Sequence, residues 1–226
     1  MSSNVNDSVR VPLRRIAVLA SGSGTNLQAL LDAIACGALE AEMVVVISDR
    51  AEAGVLPRAA AAGVPTVSLP LSDRRDPVLR QAYDCRLAEV LRAFDPDLIV
   101  LAGWMLILGP QFLNAFPGRI VNVHPALLSD GEANEVQTSY GRLPVLRGPR
   151  TVRDALRQRL PATGATVHYV TNAVDCGPVI LREEVPVLPD DDEVRLHARI
   201  KAVEHRLLPR AVAMVLVGNS ASQLGR

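Results

Sequence analysis

The chain carries no excess of either charge, few cysteines and no apolar run long enough to span a bilayer. Lys plus Arg and Asp plus Glu each number 24 in 226 residues, so the basic surplus or stripe that marks a phosphate-backbone surface is missing. No nucleic-acid partner is expected, and the arginines at Arg14–Arg15, Arg74–Arg75 and along Arg142 to Arg159 read as solvated faces. Cys36, Cys85 and Cys176 are odd in number and lack a C-x-x-C spacing. That excludes a disulfide framework or a zinc site of the usual pattern and fits a reducing cytoplasm. His197 and His205, eight residues apart on one helical stretch, read as surface or packing residues without a metal-ligand pattern, and no metal is expected. The first residues lack the apolar core of a signal peptide, so 1–13 reads as a disordered tail and no membrane association is expected.

What remains is an apolar chain, 49% hydrophobic, long enough to bury a substantial core as one domain. Apolar runs alternate with helical patterns, which predicts an α/β fold with a mostly parallel twisted sheet and helices on both faces. Strands are expected at Ile16–Ala20, Met43–Ser48, Thr66–Leu69, Leu98–Ala102, Arg119–Val123, Ala165–Val170 and Val179–Val187. Helices are expected at Asn26–Ala35, Gly54–Ala62, Pro77–Ala93, Pro110–Ala115, Thr151–Arg159 and Asp192–Val217, with 218–226 as a tail. The long last helix would serve as a packing element, an oligomer face, or both, which leaves a homodimer open.

Three segments carry chemistry. Asn122-Val123-His124-Pro125 closes an apolar strand, and residues two apart on an extended segment point to the same side. At the carboxyl end of a buried parallel strand that side faces the ligand crevice of an open α/β sheet. An amide N–H and an imidazole aimed at one point stabilise an oxyanion and move a proton, and a carboxylate orients the imidazole; downstream, His168 falls on a strand and Asp175 in the turn after it. This is the equipment of acyl transfer. The turn Ser21-Gly22-Ser23-Gly24-Thr25-Asn26-Leu27 follows the first strand and opens a helix, a place that holds a phosphate or is simply a tight connection. It matches neither G-x-G-x-x-G nor a P-loop, so neither a dinucleotide nor a triphosphate fingerprint is present. Finally, Ala102-Gly103-Trp104-Met105-Leu106-Ile107-Leu108-Gly109-Pro110, with the chain's one tryptophan, reads as a core loop or as a pocket wall for a flat heterocycle.

These motifs, together with Gly164-Ala165-Thr166-Val167-His168-Tyr169-Val170 and Val174-Asp175-Cys176-Gly177-Pro178, resemble phosphoribosylglycinamide formyltransferases, the folate-dependent glycinamide ribonucleotide transformylases of purine synthesis. The likeness runs from about Arg15 to Leu208. It implies a single formyltransferase domain over 14–217, with a Rossmann-type, phosphate-binding half to about residue 115 and a folate-binding, catalytic half after it. It implies small-molecule substrates, 10-formyltetrahydrofolate and glycinamide ribonucleotide, and a tetrahedral oxyanion held by Asn122 and protonated His124. Asp175 would hold the imidazolium and relay a proton through an ordered water, with His168 in support. Gly24, Thr25 and Asn26 would hold the phosphate, Lys201 would reach it as a cation, and Glu204 would accept from the ribose hydroxyls. Met105, Leu106, Ile107 and Leu108, with the main chain from Val170 to Asp175, would enclose the pterin, and Arg80 would meet the glutamate tail.

One segment departs from that pattern. After Asn-Val-His-Pro-Ala-Leu-Leu the family continues with a Pro-x-aromatic-x-Gly turn, whereas this chain runs from Ser129 through Tyr140 to Arg147 before resuming at Gly148. The segment is about fifteen residues longer than that turn, an insertion whose closure entropy costs little. An extended lid, a disordered insertion and an altered reading frame each account for it. Two other activities share the motifs: hydrolysis of 10-formyltetrahydrofolate, and folate or nucleotide sensing without turnover.

Overall fold

In the computed structural model, which describes residues 13–223 with side chains to residue 218, the apolar runs at Arg14–Leu19, Ala41–Ser48, Leu98–Leu101, Ile120–His124 and Ala162–Tyr169 become largely buried strands. The chain runs β1 (Arg14–Leu19), α1 (Thr25–Ala35), β2 (Ala41–Ser48), α2 (Val55–Ala61), β3 (Thr66–Ser68), α3 (Pro77–Phe94), β4 (Leu98–Leu101), α4 (Pro110–Ala115) and β5 (Ile120–His124). It continues through β6 (Glu135–Thr138), β7 (Gly141–Pro144), α5 (Thr151–Arg157), β8 (Ala162–Tyr169), β9 (Val179–Pro186) and α6 (Glu193–Gln223). Seven strands form one sheet in the order β3-β2-β1-β4-β5-β8-β9. The pairs among β3, β2, β1, β4 and β5 are parallel; β8 and β9 add antiparallel.

Two apolar layers sandwich the sheet. One packs Leu27 and Leu30 of α1, Val55 of α2 and Leu196, Ile200, Leu207 and Val212 of α6 against Ile16, Val18, Val100 and Val121. The other packs Tyr83, Leu87 and Leu91 of α3 and Phe112 of α4 against Ala17, Leu19, Val45 and Ile99. Strands covered on both faces have no polar face to show, which is why β4 reads Leu-Ile-Val-Leu without alternation. From β1 the chain adds β2 and β3 on one side, then crosses to β4 and β5 on the other. Between β1 and β4 lies a topological switch point, where the carboxyl ends of the strands open a crevice. The loops after β1 and β4 meet there, with the Ser21 N–H donating to the Gly103 carbonyl at 3.0 Å.

Three differences from the sequence reading have physical causes. The long segment after β5 is partly ordered as a hairpin: β6 and β7 pair antiparallel, Val136 facing Leu143. Those two side chains, with Leu127 and Ala162, form a small apolar cluster of their own. Strand β8 starts at Ala162, earlier than Ala165, because β9 pairs with it along the whole length from Ala162 to His168. Helix α6 runs to Gln223, so part of the expected 218–226 tail is helical. A glycine inside a helix costs about 1 kcal/mol relative to Ala, too little for Gly218 to end a helix anchored by its buried face. The tail expected at 1–13 lies outside the described residues except for Leu13, which is exposed.

Candidate active site

The pairing of β5 with β8 places Asn122 opposite His168, and the Asn122 amide nitrogen lies 3.2 Å from His168 Nε2. His168 Nδ1 is 2.9 Å from the Tyr169 carbonyl oxygen, which can only accept. Nδ1 therefore carries the proton, and Nε2 accepts one of the two Asn122 N–H bonds, leaving the other for a ligand. Burial is the main cause that pushes the His168 pKa down, against the opposing bond to the Tyr169 backbone and the Asp175 charge. With Nε2 accepting from Asn122, the 3.8 Å approach of Asp175 Oδ1 to it is not an ion pair.

His124, two residues along β5, is 4% exposed. Its Nε2 lies 2.9 Å from the Leu146 carbonyl oxygen, to which it donates, and its Nδ1 lies 3.6 Å from Asp175 Oδ2. Asp175 sits between β8 and β9 with φ 54°, left-handed backbone that aspartate tolerates better than most residues. Its Oδ2 accepts from the Gly148 N–H at 2.8 Å. The turn is closed from behind by Gly177, where a Cβ would lie 1.8 Å from the Tyr169 carbonyl oxygen. Asn122, His124, His168 and Asp175 thus converge at the carboxyl end of β5. Such a group can donate to an oxyanion from the free Asn122 N–H and from a protonated Nδ1, with a carboxylate beside it to hold the charge.

At the neighbouring strand end, Gly24 precedes α1 with φ 79°, and a Cβ there would lie 2.8 Å from Val55 Cα. Only glycine fits, and the chain enters α1 with its first N–H groups lacking intrahelical partners. The Asn26 amide nitrogen donates to Glu204 Oε2 at 3.0 Å, so the side chain turns toward α6. Asn26 Oδ1 is buried without a hydrogen-bond partner, an acceptor awaiting a donor. Glu204 is buried, and burial is the main cause that raises its pKa, against the opposing Asn26 bond and the Lys201 charge one turn earlier.

The apolar loop after β4 divides the residues expected to enclose a ring. Met105 and Ile107 are 51% and 62% exposed, whereas Leu106, Leu108 and Trp104 are buried and complete the core over α3 and α4. Leu106 and Leu108 thus expose little of their side chains, unlike Met105 and Ile107. Val170 is half-buried, and its N–H donates to the Ile120 carbonyl. Besides the Ser21–Gly103 bond, three contacts involving side chains hold the loop: Met105 N–H donates to Ser21 Oγ at 2.9 Å, Gly109 N–H to Asp84 Oδ2 at 2.8 Å, and Arg80 to the Ile107 carbonyl.

The formyl transferase family profile matches residues 14–212 of the chain. This chain belongs to the formyl transferase family. It is 42% identical over 225 residues to the phosphoribosylglycinamide formyltransferase of Mycobacterium tuberculosis, covering 98% of this chain and 95% of that protein. A trifunctional purine biosynthetic protein adenosine-3 of Drosophila melanogaster is 39% identical over 92% of this chain, which spans 14% of that longer protein. The crystal structure of glycinamide ribonucleotide transformylase 1 from Symbiobacterium toebii superposes with a TM-score of 0.80 at 42% identity, covering 91% of this chain and 89% of that one.

Several residues of this formyl transferase site escape sequence reasoning. Leu146 and Gly148 act through backbone atoms, which no side chain announces. Ser21 was legible only as part of a small-residue turn. Asp84 carried a signal that could have been used, an acid on the face of α3 that also carries the buried Tyr83, Leu87 and Leu91. Among the described residues no group of three or more His, Cys, Asp and Glu side chains could hold a metal ion, and no helix is long and apolar enough to cross a membrane.

Proposed function

We propose that this formyl transferase moves the formyl group of 10-formyltetrahydrofolate to the amine of glycinamide ribonucleotide, giving formylglycinamide ribonucleotide and tetrahydrofolate in purine biosynthesis. The observation that carries the reading is the convergence of Asn122, His124 and Asp175 at one strand end, in a chain matched along nearly its whole length by a phosphoribosylglycinamide formyltransferase.

In this reading the glycinamide amine attacks the formyl carbon and the carbonyl oxygen becomes an oxyanion. The free Asn122 N–H and the protonated Nδ1 of His124 donate to it. Because Nε2 is already committed to Leu146, Nδ1 is the nitrogen left to act, and Asp175 Oδ2 at 3.6 Å stabilises its charge. The proton released by the amine passes by way of Asp175 and an ordered water to the folate nitrogen, and the bond between that nitrogen and the formyl carbon then breaks. His168 holds the Asn122 amide in its orientation. The ribonucleotide phosphate lies on the main chain of Gly24, Thr25 and Asn26 with Lys201 as counter-charge, and ribose hydroxyls satisfy the unpartnered Asn26 Oδ1 and Glu204. The pterin lies against Met105 and Ile107, the main chain of Leu106 and Leu108, and Val170 to Asp175, with Arg80 beside the glutamate tail. Residues 14–217 act as one catalytic domain, with the phosphate-binding half ending near 115 and the folate-binding, catalytic half after it. The free state of Cys36, Cys85 and Cys176 supports a cytoplasmic setting.

The test is turnover followed by folate absorbance with each substrate alone and with both. Transfer requires glycinamide ribonucleotide. Release of tetrahydrofolate without it would identify a hydrolase, and binding with no turnover would identify a sensor.

A further inference from the structure

We infer that Arg147, which lies in the inserted segment, is a positioning residue for the catalytic pair, acting on Asp175 and through its neighbours on His124. The inference rests on the roles given above to those two residues. The tripeptide Leu146-Arg147-Gly148 touches both of them: the Leu146 carbonyl accepts from His124 Nε2 at 2.9 Å, and the Gly148 N–H donates to Asp175 Oδ2 at 2.8 Å. Between these contacts, the Arg147 side chain ties four acceptors together. Its Nε donates to the Asp175 carbonyl at 3.3 Å, one Nη to the Asn134 side-chain oxygen at 3.5 Å, and the other to the carbonyls of Gly131 at 3.3 Å and Ala133 at 2.8 Å.

A guanidinium suits this place because it presents several donors in one rigid plane and stays charged at every working pH. Gly131, Ala133 and Asn134 lead into β6, and Arg147 follows β7, so the side chain closes the base of the hairpin while gripping the turn that carries Asp175. That turn holds a non-glycine residue at φ 54°, a conformation maintained only where surrounding bonds determine it. Without Arg147 the hairpin keeps its ladder and its apolar cluster but loses the side-chain tie between its base and the turn of Asp175. The Leu146 carbonyl then no longer settles which His124 nitrogen is free, and the Asp175 carboxylate is no longer held facing it. The groups that hold the ribonucleotide, on α1 and α6, lie outside this set of contacts. Loss of Arg147 therefore falls on the chemical step and not on ribonucleotide binding.

Steady-state kinetics on the full chain test this with Arg147→Ala, Arg147→Lys, Arg142→Ala and Asp175→Asn. Misplacement of a reacting group by about 1 Å costs on the order of a hundredfold, so Arg147→Ala is expected to lose about ten- to a hundredfold in kcat. Its KM for glycinamide ribonucleotide should stay within about threefold, the signature of an interaction that acts on the transition state. Guanidinium ion added below denaturing concentration should restore part of the kcat of Arg147→Ala and none of that of Asp175→Asn. Arg147→Lys, which keeps the charge without the planar fork, should fall between. Arg142→Ala, on the exposed side of the same hairpin, should match the unaltered chain. An unchanged kcat in Arg147→Ala, or a joint loss of kcat and ribonucleotide binding that guanidinium does not restore, overturns the inference. Full activity in Asp175→Asn would instead overturn the catalytic assignment beneath it, and the two failures are read from different variants.

Discussion

At the scale of single residues, the site works by assigning each nitrogen and oxygen one task. His168 has both ring nitrogens committed within the protein, whereas His124 has one, so the two histidines cannot exchange roles although both face Asp175. Replacing Asn122, His124 or Asp175 by Ala is expected to cost about a hundred- to a thousandfold in turnover, the usual loss on removing an oxyanion donor. Stability should change by no more than about 2 kcal/mol, as checked by thermal melts beside the kinetics; near-normal rates in all three would refute their roles. Glu204 supplies a prediction in pH. Its folded-state pKa is raised, chiefly by burial, so its contribution to stability is fully present below the ordinary glutamate pKa and is lost as the pH rises through the folded value. Glu204→Gln removes that slope and should melt higher than the unaltered chain near neutral pH, with the gap closing toward about pH 4. The same change should weaken ribonucleotide binding, because an amide nitrogen cannot accept from a ribose hydroxyl. A gap that widens in acid would reverse the sign.

At the scale of elements, the connection between β8 and β9 carries more of the site than either strand. It presents Asp175 from a left-handed residue and is pressed against the Tyr169 carbonyl at Gly177. A methyl group at 177 meets backbone, which has no rotamer to yield, so Gly177→Ala should move the turn. We expect a loss of more than about 2 kcal/mol together with a fall in kcat, measured by denaturant unfolding and by turnover; unaltered kinetics would mean that the turn adapts without disturbing Asp175. Elements of this kind mark the limit of what could be read from sequence. The parallel strands were legible because burial on both faces leaves uninterrupted apolar runs, and Asn122 with His124 were legible because period-two geometry aims both side chains one way. Hairpin β6–β7 was not. Its strands are four residues each, too short for alternation to stand out, and its apolar partners Leu127 and Ala162 lie elsewhere in the chain. Nor does sequence disclose that Leu106 and Leu108 are buried or that the Asn26 side chain bonds to Glu204, since both depend on what packs opposite.

At the scale of the whole molecule, the two substrates are received by different parts of the fold. The ribonucleotide is proposed to bridge α1 and α6, whose side chains Asn26 and Glu204 meet across 178 positions of sequence. The folate is proposed to lie between the loop after β4 and the segments near Val170 and Asp175, on the side where the inserted hairpin is anchored to β9 by Ser139 and Glu184. This division predicts separable footprints. Amide hydrogen exchange should slow at the start of α1 on adding glycinamide ribonucleotide alone, and at 103–109 and 146–148 on adding a folate analogue alone. A ligand at a hundred times its Kd stabilises by about 2.7 kcal/mol, and each kcal/mol raises the melting temperature of a chain this size by roughly 2–4 °C. Either substrate should therefore give a plain thermal shift by itself. Identical footprints for the two would mean that they share one subsite, and the division of the crevice between α1–α6 and the folate loops would fall.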